Sequence, residues 1–173
     1  MSFRVLALCG SLRRFSMNAA LLRATARLAP PGVIVNIFPP GDLPLFNPDL
    51  EADLPAAVRR LHAAIDECAA LLIASPEYAH GVSGVLKNAL DWLVSFEGFV
   101  GKPVAIFNAS PASVHAHAAL REILTTMSAN IVESACLDLP LRGLRLDEDA
   151  MVASVHAPAI RAALARLASG SDA

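Results

Sequence analysis

Aromatic side chains are scarce in this 173-residue chain, at 5% Phe, Tyr and Trp with one Trp and one Tyr. Charge is also scarce, at 17%, and the formal net charge of −2 gives no electrostatic reason to expect nucleic acid or an acidic membrane as a partner. The three cysteines, Cys9, Cys68 and Cys136, are odd in number and scattered, with no C-x-x-C pair and no His at zinc-ligand spacing. That argues against a disulfide framework and a metal site, and fits buried thiols in a reducing compartment. No apolar run reaches the ~18 residues of a membrane span, and the chain passes almost directly into an apolar run with no room for an export signal. A soluble, cytoplasmic protein is expected. The phosphate-binding patterns G-x-x-x-x-G-K-[ST] and G-x-G-x-x-G are both absent.

What is abundant is apolar, 55% of residues. A chain of this length is expected to form one domain over residues 1–173 and to bury about 70% of the surface its unfolded form exposes. Four continuous apolar runs, Arg4–Leu8, Val33–Phe38, Ala70–Ser75 and Pro103–Asn108, read as strands covered on both faces. A weaker fifth surrounds Ile131–Leu139. Between them, apolar residues recur at three- and four-residue steps over Asn18–Leu28, Leu54–Cys68, Ser83–Leu93 and His115–Met127. A last helical stretch, Glu148–Leu167, contains Pro158, which should kink or divide it, and Ser169–Ala173 should fray. Successive βα units imply a doubly wound parallel sheet. One long connection, Pro39–Asp53, carries Pro39, Pro40, Pro44 and Pro48, and loops this long are often functional.

In such a sheet, ligands bind beyond the carboxyl ends of the strands, where the strand order reverses. The first, third and fourth strands empty into GSLRRFSMN (10–18), SPEYAHGVSG (75–84) and NASPASVHAH (108–117), three loops expected to meet at one cleft. In the first, Ser11, Arg13, Ser16 and Asn18 stand at S-x-R-x-x-S-x-N. That spacing can surround a phosphate with two hydroxyls, a guanidinium and the amides of a helix start. Gly10 would relieve a tight turn out of the strand. In the competing reading Ser16 or Asn18 caps the helix and Arg13 and Arg14 are merely solvated; that suits any one of these residues better than all of them together.

The second loop, continued as SPEYAHGVSGVLKNALDWLV, resembles the signature of the NADPH-dependent FMN reductase family, commonly P-E-Y-N-x-x-x-P-G-x-L-K-N-A-x-D-W. The first loop is similar to that family's G-S-x-R-x-x-S-x-N, and DLPLFNPDLE in the long connection is similar to a further part of its pattern. The resemblance implies a flavodoxin-like three-layer α/β sandwich with a five-stranded parallel sheet in the order 2-1-3-4-5. It also implies FMN as cofactor, NADPH or NADH as co-substrate, and a homodimer or homotetramer. Ser11, Arg13, Ser16 and Asn18 match the residues that hold the FMN phosphate, with Phe15 and Met17 adding backbone amides. Pro76, Glu77 and Tyr78 match the loop along the isoalloxazine ring. Backbone N–H groups there and in Ser110, Pro111 and Ala112 are candidates to stabilise negative charge at the N1 and O2 edge of the flavin.

The departures are Ala79, where the family has Asn, Ser83, where it has Pro, and a third loop with His115 and His117 in place of paired glycines. His80 and His115 are candidate substrate contacts. His62 and His156 read as structural or solvent-facing, and Lys87 and Asp91, four apart on a helix, as an ion pair or subunit contact. The implied activity is an FMN-dependent NAD(P)H oxidoreductase that delivers two electrons to a quinone, flavin or azo compound by a ping-pong cycle, with no catalytic side chain because the flavin carries the chemistry. A one-electron flavodoxin carrier and a redox-inert flavin-binding protein remain alternatives, although carriers are strongly acidic and rich in aromatics around the flavin. Trp92, Leu93, Phe96, Phe99 and Val100 offer more apolar surface than one helix stripe can bury, so a two-fold dimer with Trp92 or Phe96 crossing to the partner is expected.

Overall fold

The structure is a computed structural model that describes residues 2–141, 143–144 and 147–170. The chain runs β1 (Phe3–Cys9), α1 (Met17–Leu28), β2 (Val33–Phe38), α2 (Ala56–Glu67), β3 (Ala70–Ala74), then a small hairpin of β4 (Glu77–Tyr78) and β5 (Gly81–Val82). It continues through α3 (Gly84–Asp91), β6 (Pro103–Asn108), α4 (Val114–Thr126), β7 (Asn130–Ile131), β8 (Leu137–Asp138), α5 (Glu148–Val152) and α6 (Ala157–Ser169). The main sheet has the order β2-β1-β3-β6-β7, and every pairing in it is parallel. This is the expected 2-1-3-4-5 order, with one change. The fifth strand is broken into β7 and β8 by a 3-10 turn at Glu133–Ala135, and each piece pairs separately with β6.

Continuous apolar strands supply both faces of the sheet. Along β1, Val5, Ala7 and Cys9 join a core with α1 and α6, while Leu6 and Leu8 join a second core with α2, α3 and α4. β3 is buried throughout. β2 departs from the expectation of two covered faces: it is the edge strand, and Ile34 and Ile37 are 44% and 40% exposed. Pro158 does divide the last helical stretch. α5 ends at Val152, and α6 restarts at Ala157 with the proline in its first turn, where a missing N–H costs no helical bond. Ser169 closes α6 and Gly170 caps it at φ 65°; the remainder of the stretch expected to fray lies outside the described residues.

The long connection is tied down rather than free. Two 3-10 turns, Pro40–Asp42 and Pro48–Asp53, shape it, and α3 pins its centre. Asn88 Nδ2 donates to the Pro44 carbonyl (2.9 Å), Asn88 Oδ1 accepts from Phe46 N (2.8 Å), and the Trp92 indole N–H donates to the same Pro44 carbonyl (2.8 Å). Phe46 meets the Trp92 ring edge-on at 5.0 Å. Trp92 is 2% exposed, and Leu93 and Phe99 are buried as well. Phe96 stacks on His62 at 4.0 Å, and His62 Nε2 bonds the Trp92 carbonyl (2.8 Å), so His62 is structural. The expectation that Trp92 reaches a partner chain is therefore corrected, because the neighbouring loop absorbs it within the chain; Phe96 is only half-buried against His62, and the same expectation for it stands as a proposal. Lys87 and Asp91 form their ion pair.

Candidate functional site

All three loops open at the carboxyl end of the sheet. Gly10 ends β1 where a side chain cannot fit: a Cβ there would lie 2.1 Å from Ser75 Oγ and 2.8 Å from Ser83 Oγ. Close approach of the first and second loops explains this glycine, and its φ is not among the positive ones, so the expected role in relieving a tight turn is replaced by packing. Ser83, the departure from proline, caps α3 by accepting from Leu86 N (3.3 Å) and lies 3.3 Å from Ser75 Oγ. Its hydroxyl does what a proline at that place cannot.

α1 begins at the first loop. Ser16 caps it, its Oγ accepting from Ala19 N at 3.3 Å, and Ser11 Oγ accepts from Arg13 N at 3.4 Å. Asn18, in the first turn, is 8% exposed, and its Oδ1 is buried without a hydrogen-bond partner. Arg13 and Arg14 are exposed, and neither is among the ion pairs of the described residues. The simple capping reading thus holds for Ser16 and fails for Asn18. A buried acceptor left without a donor costs ~1–3 kcal/mol, which a ligand hydroxyl or N–H would offset.

A cleft of about 450 Å³ gathers the three loops: Arg13, Met17 and Asn18 from the first, Ser75, Pro76 and Glu77 from the second, and Ala109, Ser110, Ala112 and Ser113 from the third. Its fourth wall, Leu141, Gly143 and Leu144, follows β8 and carried no chemical signal in the sequence. Phe15 and Ser16 lie instead on an adjoining cleft along α1. Ser11, Tyr78 and Pro111 line neither cleft.

The second and third loops are braced against each other. The Glu77 carboxylate accepts from Ala116 N (2.9 Å), capping α4 in place of Ser113, whose side chain makes no cap bond. Ala79 and His80 form the hairpin tip with φ of 49° and 58°. Both central residues of such a two-residue turn need positive φ, which Asn adopts at less cost than Ala. The family's Asn at position 79 thus has a conformational reason. His80 stacks on His115 at 4.3 Å, both residues exposed, so the pair packs the hairpin tip against α4; neither lines the 450 Å³ cleft. Ser110 N donates to Asn108 Oδ1 (3.1 Å) and Pro111 has no N–H, which removes two of the three backbone donors expected from that loop and leaves Ala112.

Sequence reasoning passed over His117 as a site residue. Two residues beyond the exposed His115, it turns to the opposite side of α4, where its Nε2 is buried without a partner beside a cavity of about 20 Å³ lined also by Ser75, Asn108 and Ser113. Burial pushes the Cys9, Cys68 and Cys136 thiols up from their ordinary range, so none is set up as a nucleophile near neutral pH. Among the described residues no group of three or more His, Cys, Asp or Glu could hold a metal ion, and no helix is long and apolar enough to cross a membrane.

Known proteins share this arrangement. A family model described as NADPH-dependent FMN reductase matches residues 3–140. The chain is 43% identical over 110 residues to an NAD(P)H-dependent FMN reductase of Pseudomonas aeruginosa, an alignment covering 62% of this chain and 60% of that one. It is 34% identical over 142 residues to a quinone reductase of Pseudomonas putida, covering 80% and 75%. The matched part is thus less than two thirds of the Pseudomonas aeruginosa relative. Among solved structures, a flavoenzyme NAD(P)H:(acceptor) oxidoreductase from Paracoccus denitrificans superposes with a TM-score of 0.73 at 26% identity, covering 95% of this chain and 97% of its own. With both loop motifs, the strand order and the family model in agreement, the chain belongs to the NADPH-dependent FMN reductase family.

Proposed function

We propose that this single-domain protein is an FMN-dependent NAD(P)H oxidoreductase that reduces a quinone or a similar two-electron acceptor. The observation that carries this reading is the buried, unpartnered Asn18 Oδ1, on a residue that lines the same cleft as Arg13, which has no ion pair among the described residues. The donor set fits the cofactor. The Arg13 guanidinium, the Ser11 and Ser16 hydroxyls and the first amides of α1, including Met17, suit a phosphate dianion. Asn18 Oδ1 suits a hydroxyl of the ribityl chain. Pro76 and Glu77 would flank the ring on one side and Ser110 and Ala112 on the other, with Ala112 N–H as the backbone donor of the third loop. Leu141 and Leu144 would shield the cleft from water. Bound there, FMN would accept a hydride from NAD(P)H and pass two electrons to the acceptor.

The chain's own residues bind and orient; none is required to act as a general base. One open face would serve both substrates in turn. Varying the quinone at several fixed NADPH concentrations should give parallel double-reciprocal lines. Intersecting lines would show that both substrates bind together and would refute the shared face. The quinone reductases among the relatives support quinones as the acceptor class. A homodimer or homotetramer follows from the family resemblance, and apolar side chains at Leu45 and Val94, 83% and 63% exposed beside the long connection and α3, are available to it. Sedimentation as a monomer at micromolar concentration would exclude it. The low aromatic content and the net charge of −2 stand against a one-electron carrier.

A further inference from the structure

Among the described residues, Asn18 Oδ1 and His117 Nε2 are the buried side-chain polar atoms without a hydrogen-bond partner. The flavin accounts for the first and leaves the second unexplained. His117 stands one helical turn after Ser113, on the face of α4 turned to the sheet, and borders the cavity of about 20 Å³. We propose that this cavity binds one water, held by His117 Nε2, and that His117 acts through it as a positioning residue for the second and third loops. The part of the proposal that concerns flavin rests on the oxidoreductase reading above.

The cavity sits where the sheet stops holding these loops together. The β3–β6 ladder ends at the Ile73–Ile106 pair, and Ser75 and Asn108, which line the cavity, lie beyond it. The bond from Ala116 N to Glu77 ties the loops at the hairpin, and the cavity supplies the place for a second tie. Its size and lining suit water. A cavity needs about 10–15 Å³ to hold one water, which then takes two to four polar partners. Val82 and Leu120 give this one apolar walls, while Ser75, Asn108, Ser113 and His117 give it polar ones. Ser113 makes no cap bond to α4. Ser75 Oγ lies 3.3 Å from the Pro76 carbonyl and 3.3 Å from Ser83 Oγ, so at least one of its lone pairs remains. Asn108 keeps one amide hydrogen after donating to Asp138 Oδ1 at 2.8 Å. Water both donates and accepts, and so pairs with Nε2 whichever ring nitrogen carries the proton. Ser75 and Ser113 also line the 450 Å³ cleft, so the cavity shares a wall with the proposed flavin site. A water fixed there sets the spacing of the loops on either side of the ring.

The test begins without flavin. A crystal structure of the full chain at atomic resolution should show one ordered water within hydrogen-bond distance of His117 Nε2 and of at least one of Ser75, Asn108 and Ser113. A dry cavity, or a His117 ring turned away from it, overturns the proposal. His117→Leu keeps apolar bulk and cannot hold the water, whereas His117→Gln can. The leucine variant should speed amide hydrogen exchange at Ala116 and weaken FMN and riboflavin alike, each by about threefold to tenfold, the worth of one hydrogen bond. His117→Gln should restore most of both. If His117 only packs, leucine serves as well as glutamine or better, and that order overturns the proposal. If His117→Leu fails to fold, the more pliable His117→Met takes its place. If the protein binds neither flavin, the oxidoreductase reading fails, and the crystal structure and the exchange rates decide the water site by themselves.

Discussion

The first loop with the start of α1, and α3 with the connection it pins, are the two stretches that carry the family resemblance, and they treat their polar groups in opposite ways. In α3, Asn88 uses both ends of its amide, Trp92 places its N–H on Pro44, His62 holds the Trp92 carbonyl, and Lys87 pairs with Asp91. In the first loop, Asn18 Oδ1 has no partner although it is buried, and Arg13 and Arg14 have no carboxylates among the described residues. Folding satisfies buried polar groups unless something else is to satisfy them. One motif is therefore a bracket for the chain, and the other is, on the proposed reading, a cradle for a ligand.

Mutations should separate the two. Trp92→Ala empties a fully buried aromatic site and leaves the Pro44 carbonyl with Asn88 Nδ2 as its one remaining donor; it should cost about 3–5 kcal/mol in chemical denaturation. A variant that kept its stability and lost only FMN would make α3 part of the cradle. Arg13→Ala should do the reverse, weakening FMN by about tenfold to a hundredfold, or about 1.5–3 kcal/mol, with the denaturation midpoint of the apoprotein unmoved. Asn18→Ala sharpens the contrast. Removing an unsatisfied acceptor should leave the apoprotein as stable as the parent, or more stable by about 1 kcal/mol, while FMN affinity falls. A clear loss of apoprotein stability would show that Asn18 belongs to the fold. Lys87→Ala removes an exposed helix pair and should cost no more than about 0.3–0.5 kcal/mol, without effect on flavin binding.

Much of this was open to sequence reading because buried parallel strands are continuous apolar runs, and β1, β3 and β6 are such runs. The partial exposure of β2 was not legible. VIVNIF has the composition of a central strand, and only its place at the sheet edge exposes Ile34 and Ile37. The break between β7 and β8 was equally hidden, since Ile131–Leu139 holds no glycine or proline to announce a turn. The surplus of apolar residues after α3 was legible, but its destination was not: the proline-rich connection and α2 cover Trp92, Leu93 and Phe99 from positions about 30 to 50 residues earlier, beyond the reach of local periodicity. At the cleft, the three loops could be named because their chemistry is unusual. The wall of Leu141, Gly143 and Leu144 could not, because these three contribute shape alone.

Titration of the apoprotein with FMN and with riboflavin, which differs only in lacking the phosphate, bears most directly on whether the first loop is a phosphate cradle. FMN should bind at least tenfold more tightly than riboflavin, and Arg13→Ala should close most of that gap by weakening FMN alone. Equal affinities for the two flavins in the parent protein would contradict the phosphate role of Ser11, Arg13 and Ser16.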